Sequence, residues 1–307
     1  MLKNHFLCVR LTQSKMNRNA RVEIAQQTLD IMAAGHYINR RNKPVDISTD
    51  LAYAVENTVH YTPEDFENKQ FARLDTQLNN EICKIEVTPE STFAATRRLI
   101  VEEGQENVCC LNFASAKNPG GGFIKGAHSQ EETLSRASGL YACQVNKMEM
   151  YQINRLHDSC LYTDHMLYSP LVPVFRDDND QLLDEHYCVS IITSPAVNAG
   201  AVKMNEPEKV DHIPTVMFNR IEKLLLLAVA QQQSTLVLGA WGCGVFRNDT
   251  REVARWFAQH LQRELFSKAF KRVVFAIYSP SDKQETLNIF KQQFASMSDN
   301  NAHTVQG

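Results

Sequence analysis

Residues 107–141 read NVCCLNFASAKNPGGGFIKGAHSQEETLSRASGLY. The stretch opens with Asn107–Phe113, a run apolar enough for a strand buried on both faces. It passes through three consecutive glycines, Gly120, Gly121 and Gly122. It closes on Gln130-Glu131-Glu132, with Leu134, Ala137, Leu140 and Tyr141 following at helical spacing. Strand, glycine-rich loop and helix in that order predict an α/β unit. In an open α/β sheet a ligand sits at the carboxyl ends of the strands, which is where this loop would lie.

The alternation continues on both sides. Upstream, Ala20, Ile24, Thr28, Ile31 and Met32 predict a helix over 19–35, with Gly35 suited to its end. Residues 36–80 read as polar and irregular, with a turn or helix start at Thr62–Asp65. Ile82–Val87 reads as a strand, and Thr88–Ser91 opens a helix running to about residue 103. Downstream, Tyr187–Thr193, Thr235–Gly239 and Arg272–Tyr278 read as strands. Helices are predicted over 214–232, with Pro214 in the first turn, over 249–266, capped by Asn248 or Asp249, and over Ser281–Ala295. Strands alternating with helices predict a three-layer α/β/α domain. The chain divides into a loose extension (1–16), an N-terminal helical accessory region packed on the core (17–81), the core itself (82–296) and a disordered tail (297–307).

Composition narrows the function classes. The 307 residues are 43% hydrophobic and 22% charged, which is ordinary globular usage and long enough for a sizeable core. The net charge of −3 gives no basic stripe, so no dedicated nucleic-acid-binding patch is expected, and a polyanion would have to be gripped locally. No run approaches the ~18 apolar residues of a membrane span, and the N-terminal apolar run is too short for a signal peptide. The eight cysteines form no CxxC pair, and several lie in apolar runs. They read as buried thiols in a reducing, cytoplasmic setting rather than as a zinc site.

A second glycine-rich loop, Gly239–Asn248, runs from a buried strand into a helix, where main-chain amides can bind an anion. Taken singly, each loop could be only a tight turn, and Glu131-Glu132 could be only partners of a helix dipole. Together, the triple glycine, short spacer and Gln-Glu-Glu resemble the signature of poly(ADP-ribose) glycohydrolases. Four segments are similar to the microbial branch of that family, in its order: LNFASAKNPGGGFIKGAHSQEETLSRASGLY (111–141), YSPLVPVFRDD (168–178), ITSPAVN (192–198) and LVLGAWGCGVFRND (236–249). The resemblance covers about residues 18–295.

The resemblance implies a macrodomain core with a mixed sheet between helices, an N-terminal helical extension, and ADP-ribose bound in a cleft at the strand ends. It implies a glycosidase that hydrolyses the ribose–ribose O-glycosidic bond of poly(ADP-ribose), with the polymer or ADP-ribose attached to protein or nucleic acid. Glu132 takes the family's catalytic position, and Glu131 that of the residue holding ribose hydroxyls. Gly120, Gly121 and Gly122 flank the distal ribose and diphosphate. Gly242, Cys243, Gly244, Val245 and Phe246 form the diphosphate loop, with Phe246 packing on the ligand. Ser115, Asn118 and Gln130 are further substrate contacts. No cofactor and no metal ligand is implied. Most glycosidases divide acid and base work between separated carboxylates. Side chains at i and i+1 are expected to point in different directions, so one residue, Glu132, would serve in both steps.

Other residues carry less. Cys243 could gain a depressed pKa in an anion-binding loop, or be inert. His128 could meet phosphate or be solvated, Phe175–Asp178 could bind metal or be a polar turn, and Trp241 could stack on adenine or fill the core. Two other functions stay open: a macrodomain that reads ADP-ribose without cleaving it, and a hydrolase of mono-ADP-ribose on protein or nucleobase.

Overall fold

The computed structural model describes residues 16–67, 82–278 and 284–304. Its first quarter holds α1 (Arg18–Ala34), β1 (His36–Ile38), β2 (Pro44–Asp46), α2 (Ser48–Glu56), β3 (Val59–Tyr61) and α3 (Pro63–Glu67). Next come β4 (Lys84–Thr88), α4 (Thr92–Arg97), β5 (Val108–Phe113), α5 (Gln130–Ala137), α6 (Leu140–Val145) and α7 (Met148–Leu156). The remainder is β6 (Met166–Arg176), β7 (Leu182–Ser194), α8 (Ala199–Asn205), α9 (Ile213–Ala230), β8 (Thr235–Leu238), α10 (Thr250–Leu261), α11 (Glu264–Ala269), β9 (Arg272–Ala276) and α12 (Glu285–Thr304). Seven strands form one mixed sheet in the order β3-β6-β7-β5-β8-β9-β4. From β7 to β4 the neighbours are parallel, while β6 and β3 complete one side with antiparallel pairings.

The layers follow from the two-residue period of a strand. Cys109 and Leu111 of β5, Leu236 and Leu238 of β8, and Val273 and Phe275 of β9 face one core, closed by α9, α10, α11 and α12. Val108 and Cys110, Val237, and Val274 and Ala276 face the other, closed by Phe93, Ala95, Leu134, Ala137, Leu140 and Cys143. Both faces are therefore buried, which is why these strands read as continuous apolar runs. The three-layer α/β/α expectation and the mixed sheet are what the structure has.

The N-terminal quarter differs from the helical accessory region expected of it. α1 is there, capped by Asn17 and ended by Gly35 at φ 71°. Beyond it, the stretch read as irregular holds a β1–β2 ribbon, α2 and β3, and β3 pairs with β6 in the main sheet. These strands have only three residues each, too short to show a period. The loose extension over 1–15 and the end of the accessory region, 68–81, lie outside the described residues.

Strand β6 carries Pro170 and Pro173, which cannot donate to a ladder and so hid it as a continuous strand. The chain accommodates them with a bulge: the register to β7 shifts between Ser169 and Val172, and Leu171 stands exposed at φ 48°. The helix predicted over 249–266 is two helices, α10 and α11, parted at Arg263, which is extended (φ −66°, ψ 139°). The final helix runs to Thr304, past Ala295 and into the residues read as a disordered tail.

One buried cation ties the layers to the loops at the sheet edge. Arg220 of α9 is 1% exposed. It donates to Asp164 Oδ1 (2.6 Å) and to the carbonyls of Pro195 (3.1 Å), Leu161 (3.0 Å) and Tyr162 (3.1 Å). Replacing Arg220 by Met leaves these acceptors unmatched, with only Lys223 still on Asp164. Urea denaturation should show a loss of about 3–5 kcal/mol. A loss within ~0.5 kcal/mol, the size of an ordinary surface change, would mean that the guanidinium is not what holds these loops.

Candidate functional site

Strands β5, β7 and β8 end at Phe113, Ser194 and Leu238 on one edge of the sheet, and the two glycine-rich loops leave from the ends of β5 and β8. The first loop is held by three consecutive side chains at the start of α5. Gln130 acts as a short extension of the sheet: its Oε1 accepts from Phe113 N (2.9 Å) and its Nε2 donates to Leu111 O (2.7 Å). Glu131 accepts from Ser115 N (2.7 Å), Gln144 Nε2 (2.9 Å) and Asn112 Nδ2 (3.2 Å). Glu132 accepts from Gly122 N (3.0 Å) and reaches back to Ser129 N (2.9 Å), half of a capping box.

The two carboxylates differ in environment. Glu131 is 3% exposed, and burial pushes its pKa from the ordinary 4.5 up to about 8. Hydrogen bonds from Ser115, Asn112 and Gln144 pull the other way, and the charge of Glu132 adds to the rise. Glu132 is only half-buried. The pair was expected to diverge, yet both carboxylates reach the same glycine. A Cβ on Gly121 would collide with Glu132 Oε1 and sit 3.0 Å from Glu131 Oε2. Gly121 is also left-handed, at φ 59°. Gly121 is thus needed for close approach to the carboxylates as much as for the turn.

α1 holds this loop from behind. Arg18 Nε donates to Lys125 O (2.9 Å) and Arg21 Nε to Gly126 O (2.8 Å). Phe123, fully buried, packs edge-on to Tyr141 at 4.8 Å between ring centres, under Gly120.

The second loop is built differently. Asn248 Nδ2 donates to Val197 O (2.7 Å) and Gly242 O (3.1 Å), and Asp249 caps α10 through Arg251 N and Glu252 N. Gly242, at φ 73°, packs too closely on Ala196 and Asn248 to carry a side chain. Gly244 has open space around it and Val245 is 77% exposed. The N–H groups of Gly244, Val245 and Phe246 meet no acceptor among the described residues. Three free amides in a row before a helix suit an anion. Phe246 stands 6.1 Å from the ring of Tyr162 on the rim.

The two loops therefore bring Gly120, Gly121, Gly122, Ser115 and Glu132 to the same edge as Gly242–Phe246. Asn118 is exposed on the first loop, its N–H donating to Ser115 Oγ (3.2 Å). Gln130 is occupied by the β5 main chain, and Glu131 faces inward. The Cys243 thiol is not depressed: burial pushes it up to about 12. Trp241 is a core residue, 0% exposed with Nε1 on Ser194 O (3.2 Å). His128 lies against Arg136 (3.1 Å), and Asp177–Gln181 forms a polar turn after β6. Asn112, Gln144, Tyr162, Arg18 and Arg21 were not foreseen. All act through distant partners, except that Asn112 stands within the quoted strand.

The fold and this edge define an α/β domain in which a carboxylate pair and three free main-chain amides share the carboxyl ends of the strands. A family model described as microbial-type PARG, catalytic domain, matches residues 25–177. A poly(ADP-ribose) glycohydrolase structure from Thermomonospora curvata is 40% identical, with a TM-score of 0.84, covering 90% of this chain and 99% of that one. The same enzyme bound to the inhibitor ADP-HPD aligns at a TM-score of 0.82 with the same identity and coverage. The Deinococcus radiodurans enzyme in complex with ADP-ribose is 45% identical, with a TM-score of 0.75 over 80% of this chain and 97% of that one. A search of curated protein sequences found no match. The chain belongs to the microbial-type poly(ADP-ribose) glycohydrolases, and it is a glycosidase of that kind.

Two outcomes test the site. Glu131 keeps in the folded chain a proton that the unfolded chain releases between pH 4.5 and about 8, so its contribution to stability falls as pH rises through that window. Glu131→Gln should flatten the fall, measured by denaturation midpoints at both ends. The unpartnered Asn112 Oδ1 and Gln144 Oε1 can turn to accept from the new amide. An unchanged slope would show that Glu131 is ionised throughout. Separately, Gly121→Ala should cost more than ~1 kcal/mol from its backbone conformation alone and displace both carboxylates. Gly244→Val, in open space, should leave the melting temperature unchanged.

Proposed function

We propose that the chain releases ADP-ribose from poly(ADP-ribose) by cleaving the ribose–ribose O-glycosidic bond, with Glu132 as the acid. The observation that carries this reading is the position of Glu132. It is half-buried against Gly121, on the same sheet edge as the three free amides of Gly244–Phe246. The substrate diphosphate would lie on those amides, with Phe246 against the ligand and Ser115, Asn118 and Gly120–Gly122 along the distal ribose. Glu132 gives its proton to the leaving ribose oxygen as the C–O bond breaks. It then takes a proton from the water that adds to the oxocarbenium-like centre, which restores the acid. The diphosphate offsets the developing positive charge. Glu131 is a positioning residue: through Ser115 N it fixes the start of the loop that Glu132 closes. The fold's two-faced mixed sheet and ligand loops at the strand ends support kinship with macrodomains.

The polymer is proposed to reach the enzyme attached to protein or nucleic acid. The seven cysteines among the described residues are all free thiols, which supports a reducing, cytoplasmic setting. No helix of the described residues is long and apolar enough to cross a membrane.

Glu132→Gln should lower ADP-ribose release from automodified polymer by ~10²–10⁴-fold, while calorimetric titration still shows ADP-ribose binding. Turnover at the unmutated rate would remove Glu132 from the acid role. Gly244→Val should weaken ADP-ribose binding with the fold intact, and Cys243→Ala should be mild because both its groups are turned to the protein, the thiol to Trp241 O and the amide to Ala240 O. Normal binding by Gly244→Val would reduce the loop to a helix start. Release from mono-ADP-ribosylated protein or DNA but not from polymer would favour a mono-ADP-ribosyl hydrolase.

A further inference from the structure

Far from the ligand edge, three metal-ligating side chains of different kinds meet. Asp50 lies in the first turn of α2, and His186 and Cys188 lie two residues apart on β7. The strand period of two puts His186 and Cys188 on one face of β7. One ligand atom from each of the three lies within 4.8 Å of the others. Asp50 Oδ2 and His186 Nε2 are 2.7 Å apart, and side-chain exposures of 45% and 19% leave a path for an ion. Asp46 and His36 are close enough for their charges to interact with each other, and Asp46 with His186, so the surroundings are rich in donors.

We infer that Asp50, His186 and Cys188 form a binding site for a borderline-soft divalent cation of the zinc type, one that staples α2 to the sheet. The donor set decides the metal class. One thiolate, one imidazole and one carboxylate suit zinc and its analogues, whereas magnesium and calcium take oxygen donors. Bonds of about 2.0–2.3 Å around a tetrahedral ion place neighbouring donor atoms roughly 3.3–3.7 Å apart. The present spread needs only small side-chain movements to reach that spacing, and the fourth position is left to water or a neighbouring side chain. On binding, the Cys188 thiol gives its proton to solvent, and the hydrogen bond between Asp50 and His186 is exchanged for two bonds to the ion. The site joins residues 136 apart in the chain, so occupancy favours the folded state by holding the N-terminal segment against β7.

The site is separate from catalysis. His186 lies eight residues before Ser194, roughly 25 Å along an extended strand. Ligand variants should therefore leave glycohydrolase turnover within about twofold.

The test is titration of the intact chain with Co²⁺ after treatment with a chelator and reductant. Thiolate ligation gives a near-ultraviolet charge-transfer band. One equivalent of Co²⁺ should produce it, Zn²⁺ should bleach it, and Zn²⁺ should raise the melting temperature. Cys188→Ser should remove the band, and Asp50→Asn and His186→Gln should each weaken binding at least tenfold, while circular dichroism shows all three folded. Full affinity in both of the latter variants, a band that survives in Cys188→Ser, or no band and no thermal shift with the unmutated chain would overturn the assignment.

Discussion

Three consecutive side chains at the first turn of α5 hold the loop at the end of β5 together, and each of them takes a main-chain amide of that strand or loop. Gln130 completes the end of β5, Glu131 takes the amide where the loop begins, and Glu132 takes the amide at the glycine turn. A helix start offers only a few side chains in this geometry, one after another around the first turn. Spending all three on the same loop converts a flexible glycine stretch into a fixed one. The order Gln-Glu-Glu then has a mechanical meaning. The neutral amide can both donate and accept and so mimics a peptide. The buried carboxyl anchors. The second carboxyl stays half-buried, beside the glycine turn.

Burial sets the division of labour between the two glutamates. Glu131 lies behind the loop, its carboxyl pushed to about 8 by desolvation even with three donors aimed at it. Neighbouring acceptors on Asn112 and Gln144 have no partner. Such a cluster tolerates a proton well, and a neutral anchor adds no repulsion next to a second carboxylate and an anionic ligand. The outer shell supports the same arrangement. α1 holds the loop's far side through Arg18 and Arg21, and Arg220 fixes the segments that carry Tyr162 and Pro195. The N-terminal quarter is thus part of the machinery that shapes the site, rather than a decoration of the core.

The second loop illustrates why not all glycines in a motif are alike. Gly242 is required by its own neighbours, because its left-handed backbone packs against Ala196 and Asn248. Gly244 is required by nothing inside the protein. Its N–H, like those of the two residues after it, is left without an acceptor among the described residues. Cys243, between them, is the residue a sequence reader would suspect of chemistry. Burial holds its proton in place, and its amide is taken by the carbonyl of Ala240.

Composition and order along the chain determined a good deal on their own. Residues buried on both faces of a sheet must be apolar at every position, so β5, β8 and β9 were visible as runs, and the class of fold followed. Glu132 and the two glycine loops were visible because they are contiguous motifs. What tertiary structure alone decided involves partners distant in sequence. That β3 belongs to the main sheet depends on β6, more than a hundred residues away. β6 itself was masked by its prolines, which only the bulge at Leu171 makes admissible. That Glu131 is an inward anchor, that Trp241 fills the core, and that Asp50 meets His186 and Cys188 are likewise consequences of packing. A local sequence records which groups a residue carries. Whether those groups face water, a ligand or each other is fixed by the elements that fold over them.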